Sequence, residues 1–205
     1  MTACSNEGGL PAPTTTVSMS ATAAPSPTTS KPKVSKKAFA KALKNFDVSV
    51  DEFTNLVTAS PKASRSNPKL FQTEAPNSGA GVSVIIFSKQ GKNKFALWSE
   101  YIGELSLGFR SVWLKAGNKS FQIDIPIKSL IVDTSQGFVD EYAITQLNTT
   151  QVTEFCLLTR SHDVKMRLEG SVPGTPWPEG ILLNNGALRA GCKVWEGLGQ
   201  GFKLD

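Results

Sequence analysis

From Val82 onward apolar residues recur at every second position, and this period limits the fold more than any other feature of the chain. Phe121, Ile123, Ile125 and Ile127 alternate with Gln122, Asp124, Pro126 and Lys128. Val164, Met166, Leu168, Gly170 and Val172 alternate in the same way with Lys165, Arg167, Glu169 and Ser171. Successive strand side chains point to opposite faces, so each segment has one face to bury. Strands are also expected over 82–87, 94–99, 104–114, 138–147, 152–159, 181–183 and 192–195, with Gly108 as a candidate bulge and Pro126 marking an edge or a bulge. The turns Lys89-Gln90-Gly91-Lys92-Asn93 and Ala116-Gly117-Asn118 separate them, and no long helix is expected after residue 60. Short strands at this spacing predict an all-β, antiparallel sandwich or barrel over 81–205, about 125 residues and long enough to bury a core.

Charge is segregated along the chain. Residues 31–46, KPKVSKKAFAKALKNF, carry Lys31, Lys33, Lys36, Lys37, Lys41 and Lys44 and no acid. Glu7 is the one acid before Asp47, so this arm holds the whole formal net charge of +5 and the body behind it is neutral. Crowded like charges repel unless a polyanion or an anionic surface screens them. Phe39, Leu43 and Phe46 recur at i, i+4 and i+7, which predicts a basic amphipathic helix with the lysines mostly on its other sides. Ser49 with Glu52 reads as a capping box and Phe53, Leu56 and Val57 as an apolar stripe, so a second short helix completes 36–60. Residues 1–35 are expected to be a disordered arm, because the Ala/Ser/Thr/Pro-rich start has too little apolar surface to offset ordering. Residues 61–80 read as a linker whose Lys62, Arg65 and Lys69 extend the basic set.

No active site assembles from these residues, and no enzyme, metal site or cofactor is expected. His162 is the only histidine and falls in the turn Arg160-Ser161-His162-Asp163, a place for a solvated side chain rather than a catalytic base. Cys4, Cys156 and Cys192 are odd in number with no CxxC pair, so neither a zinc site nor a disulfide framework is expected, which points to a reducing compartment. Asp140 and Glu141, adjacent on a strand, face opposite ways; carboxylates from separate strands holding calcium remain an alternative. Gly197, Gly199 and Gly201 read as a flexible tail rather than a phosphate loop. Trp113, Trp177 and Trp195 are expected in the core or an interface, with base stacking beside Lys115 or Lys193 as the alternative. No apolar run of 18 residues is present, and the first residues lack the pattern of a secretory leader.

A Ser/Thr/Pro-rich start, a lysine-rich arm with helical character and a neutral β-rich body together resemble the coat proteins of small positive-strand RNA plant viruses. Bromovirus-like and ourmiavirus-like agents are nearest in size. The resemblance covers the whole chain, is architectural, and carries over no motif residue. It implies a jelly-roll body behind a disordered basic arm with one or two short helices. It also implies a capsid subunit that packages single-stranded RNA, associates with further copies of itself, engages no membrane, and is found in the virion and the host cytoplasm. The residues expected to bind nucleic acid are Lys31, Lys33, Lys36, Lys37, Lys41, Lys44, Lys62, Arg65 and Lys69. The arm uses lysine where many such arms use arginine, which suffices for non-specific phosphate contact. Two alternatives stand beside this reading. One is an intracellular β-sandwich adaptor that inserts Phe39, Leu43 and Phe46 into an anionic membrane or docks an acidic partner. The other is a non-structural viral RNA-binding protein.

Overall fold

The alternating segments pair into two antiparallel sheets. The computed structural model describes residues 33–62, 79–134, 137–160, 163–173, 180–183 and 185–204. In chain order these form α1 (Lys36–Leu43), β1 (Phe46–Asp51), β2 (Leu56–Pro61), β3 (Gly79–Lys89), β4 (Lys92–Gly103), β5 (Phe109–Ala116), β6 (Lys119–Asp124), β7 (Ile131–Asp133), β8 (Val139–Leu147), α2 (Thr149–Leu158), β9 (Lys165–Gly170), β10 (Ile181–Leu182) and α3 (Asn185–Leu198). The larger sheet has the order β1-β2-β3-β4-β8-β7 and the smaller β10-β9-β5-β6. One core joins them: Val84, Ile86, Phe95 and Leu97 from the larger sheet share a cluster with Val112, Leu114, Phe121, Met166 and Leu168 from the smaller. This is the mostly β, antiparallel, sandwich-like body that the alternation implies.

Several local expectations are corrected. The second helix over 49–60 is instead the β1–β2 hairpin, in which Phe46 pairs with Pro61 and Asp51 with Leu56. Its tip is set by the Asp51 carboxylate, which accepts from the Phe53 N–H at 2.9 Å and the Thr54 hydroxyl at 2.8 Å, with Asn55 at φ +53°. Asp and Asn satisfy turns through such local bonds, and this overrides the capping-box pattern. The strands expected at 152–159 and 192–195 are the helices α2 and α3, so the body does contain helices after residue 60. Asn148 and Gln151 form a capping box that starts α2, a signal strong enough to win over β-branched content. In α3 the glycine spacing serves packing rather than a tail: a Cβ at Gly191 would meet the Val84 side chain at 2.7 Å, and one at Gly197 the Phe39 ring at 2.2 Å. A shift of register between Phe109 and Ser111 turns Val112 and Leu114 inward and Trp113 outward, so the bulge falls at Arg110 while Gly108, at φ +55°, lies in the preceding loop. Pro126 follows the edge strand β6, as its missing N–H requires.

The helices close the space between the sheets. Phe155 of α2 makes edge-to-face contacts with Phe95 of β4 at 5.7 Å and Phe121 of β6 at 5.8 Å, bridging the two sheets. Cys156 and Cys192 form a disulfide between α2 and α3. The odd cysteine count is therefore one bridge plus Cys4, and the inference to a reducing compartment loses its basis.

A second tie between the sheets is polar. Glu141, on the inner face of β8 and fully buried, accepts hydrogen bonds from the backbone N–H groups of Leu107 (2.8 Å), Gly108 (2.9 Å) and Phe109 (3.2 Å), and from the Ser106 hydroxyl. These donors belong to the loop that carries the chain from the larger sheet to the smaller and to the first residue of β5. Burial first, and then the Glu141 charge, push the phenol of the neighbouring Tyr101 above its ordinary value.

Glu141→Ala leaves the Leu107, Gly108 and Phe109 amides, two of them on buried residues, without this acceptor and should destabilise the fold by about 3–5 kcal/mol. Glu141→Gln should also destabilise, because its amide turns an NH2 group toward N–H donors; chemical denaturation of both variants checks this, and a neutral Gln would contradict the carboxylate's role. Denatured without reductant, the protein should titrate one thiol, Cys4, and reduction should remove roughly 2–4 kcal/mol of stability.

Candidate nucleic-acid interface

Helix α1 divides its residues between the core and the solvent. Ser35 caps it, accepting from the Ala38 N–H at 3.2 Å, and the Asn45 side-chain amide donates to the carbonyls of Lys41 and Ala42, both at 3.3 Å, turning the chain into β1. Phe39 and Ala42 are buried at 6% and 4% exposure, Phe46 follows at 3%, and Leu43 packs on the core from its margin. The Phe39 ring lies 5.1 Å from that of Phe202, against Gly197 of α3. The apolar stripe read from the sequence is therefore consumed by the fold. That removes Phe39 and Phe46 from the membrane-inserting alternative.

The lysines take the opposite side. At 100° per residue Lys36, Lys37, Lys41 and Lys44 fall within an arc of about 140°, and all four are exposed. Lys33 is exposed ahead of the helix. Lys62, also exposed, is brought to the helix end because its N–H donates to the Asn45 carbonyl at 2.9 Å. Among the described residues none of these six lysines is in an ion pair. Lys31, Arg65 and Lys69 lie outside the described residues, as do His162, Trp177 and all but the last three residues of the arm expected over 1–35. The chain also adds a cation that the sequence analysis did not name. Lys203 is exposed and next in sequence to Phe202, whose ring meets Phe39 of α1. A contact between residues so far apart in sequence leaves no local signal.

The other candidate residues divide among different places. Trp195 is a core residue, 5.6 Å edge-to-face from Phe95. Trp113 is half-buried on the outer face of the smaller sheet. The Arg167 guanidinium lies 5.4 Å over its ring, and its indole N–H donates to the Ser111 hydroxyl at 3.2 Å. Ser111 in turn donates to Glu169, which also pairs with Arg167. Burial pushes the Glu169 carboxyl up, but the hydrogen bonds from Trp113 and Ser111 and the Arg167 charge outweigh it and hold the group below its ordinary value. Asp140 and Glu141 do face opposite ways, and among the described residues no three acidic, histidine or cysteine side chains are grouped to hold a metal ion.

The position of the lysines costs stability. Lys36 and Lys37 occupy the first turn of α1, where the helix dipole favours anions and no acid is present. Replacing both with glutamate should stabilise the fold by about 1 kcal/mol, raising the thermal midpoint by roughly 2–4 °C. The same change should weaken polyanion binding. A lowered midpoint would mean that the two lysines serve the fold.

No family model, no curated protein and no solved structure matches this chain, so the lysine face is read from its own geometry.

Proposed function

We propose that this protein is a coat subunit that packages single-stranded RNA through the lysine face of α1 and associates with further copies of itself through its β-rich body. One observation supports the reading: Lys36, Lys37, Lys41 and Lys44 are exposed on α1 and its C-cap, whose opposite face is locked into the core, with Lys33 and Lys62 at its two ends, and among the described residues none of the six is in an ion pair. A cationic side chain with no internal partner is free to replace the counterions of a phosphate backbone. Lysine meets phosphate as a point charge, so the proposed contact is to the backbone and independent of sequence. The jelly-roll assignment belongs to this reading and rests on the resemblance in architecture, since the strand order begins with a four-stranded meander, β1-β2-β3-β4.

Binding of a single-stranded RNA oligomer to the full chain should weaken with salt, with a log–log slope of about −4 if six lysines neutralise phosphates. Lysine-to-glutamine changes at Lys36, Lys37, Lys41 and Lys44 together should make the slope shallower by about 3. Purified full-length protein should elute as a large, uniform species with nucleic-acid absorbance, and the fourfold variant should not. A flat salt dependence overturns the reading. A steep slope without uniform particles moves it to a non-structural RNA-binding protein.

A further inference from the structure

The larger sheet ends on one side in a six-residue strand edge whose only charged residues are Asp47 near its start and Asp51 at its end. Among the described residues β1 pairs with β2 alone, and five of its six residues are exposed. Free strand edges attract other strands, and proteins guard them with lysine, proline, a bulge or extreme shortness. β1, FDVSVD, has a regular register with β2, no lysine and no proline. The other edges are guarded: β7 has three residues, β10 has two, and β6 opens on Lys119 and stops before Pro126.

The exposed side chains of this edge are apolar on one face. Val48 pairs with Ala59 and Val50 with Val57, on the same face as the buried Phe46. The core-bearing side of the sheet thus runs on past the core as Val48 at 40% exposure, Val50 at 59%, and Phe53 at 99% on the hairpin tip. The tip is held in shape by the Asp51 carboxylate, so Phe53 is presented on a fixed turn rather than a loose one. The charges are polarised along the same element. Asp51 and Glu52 mark the tip, while Lys41 and Lys44 precede the start of the strand and outnumber the one acid there, Asp47.

We propose that β1 is a self-association edge, at which two copies of this chain join β1 to β1 in antiparallel orientation about a two-fold axis. This inference rests on the self-assembly reading above and names the surface it uses. The charge pattern selects the occupant and its direction. Antiparallel pairing sets Asp51 and Glu52 of each copy beside Lys41 and Lys44 of the other, twice over, whereas parallel pairing sets like charge against like. Alternate residues of β1 direct their N–H and C=O groups away from β2, and the second copy satisfies them as a further strand of the same sheet. Val48 and Val50 of the two copies then cover one another, and each Phe53 reaches the end of the other copy's α1.

The test uses the full chain, treated with nuclease and shown by absorbance to be free of nucleic acid. Sedimentation should reveal a concentration-dependent dimer, and hydrogen exchange should show β1 amides gaining protection as the concentration rises. Val48→Lys with Val50→Lys should weaken the dimer at least tenfold while leaving the thermal midpoint of the dilute protein unchanged. Glu52→Lys should weaken it too, and adding Lys44→Glu to the same chain should restore it. A wild-type protein that stays monomeric, a dimer indifferent to the valine changes, a charge swap that fails to restore, or association only when RNA is added would each overturn the proposal. The salt slope of RNA binding, measured on the same samples, separates the two readings. A steep slope with an inert β1 edge overturns the edge alone, and a flat slope with an intact dimer overturns RNA packaging alone.

Discussion

The body depends on a buried carboxylate that has no cationic partner among the described residues. Glu141 is satisfied by three consecutive backbone amides and a hydroxyl, so its charge is met by dipoles rather than by a counter-ion. Such a group is costly to bury and costly to leave unmatched, and that asymmetry fixes the path of residues 106–109. The loop must wrap the carboxylate, which requires Gly108 at positive φ. It must also approach the end of β9, where a Cβ at Gly170 would meet the Leu107 carbonyl oxygen at 2.3 Å. The N–H of Ser171 then donates to that same carbonyl at 3.1 Å. The crossing from the larger to the smaller sheet is thereby pinned at both ends, and Val112 and Leu114 follow in register opposite Leu168 and Met166.

Once the two sheets are set, the helices have little freedom. Phe155 lies between Phe95 and Phe121, Gly191 admits Val84 close to the backbone of α3, and Gly197 admits Phe39. α1 is thus seated by the last turns of α3 and by Phe202. Its lysines are displayed as a consequence of where its aromatic side must go. The two lysines in its first turn work against the helix dipole, and no acid offsets them. A surface that keeps charges where the backbone disfavours them is better explained by what it meets than by what it stabilises.

Strands with one buried face were legible in the sequence because alternation survives wherever one side meets the core. Phe121, Ile123 and Ile125, and Met166 with Leu168, point inward as the pattern predicts. The hairpin of β1 and β2 was not legible, since Ser49 and Glu52 imitate a helix start while the deciding contacts are local bonds at Asp51 and pairing with β3. The strands expected within α2 and α3 failed for a related reason. Val152, Phe155 and Cys156, and then Leu188, Cys192 and Trp195, fit the helical period as well as a short apolar run, and the Asn148 cap decided the first. Of the site, the lysine arc was legible and its anchoring was not. Glu141 gave no sign of its role, because the donors it meets are more than 30 residues away.

The dual nature of α1 changes how its function can be probed. A boundary drawn at Asp47 looks natural from charge alone, because every net positive charge lies before it. Cutting there also removes Phe39, Ala42 and Phe46 from the core and leaves Gly197 and Phe202 without the ring they pack against. A chain shortened in that way would lose the lysine face and damage its own fold together, and neither effect could be assigned. The lysines can be replaced one side chain at a time, since their exposed arc touches nothing that the core requires. The same reasoning applies to β1, where Val48 and Val50 are exposed while Phe46, on the same face, is not. The lysine face proposed to meet RNA and the β1 edge proposed to self-associate both share elements with the core, so substitution separates proposed role from fold and truncation does not.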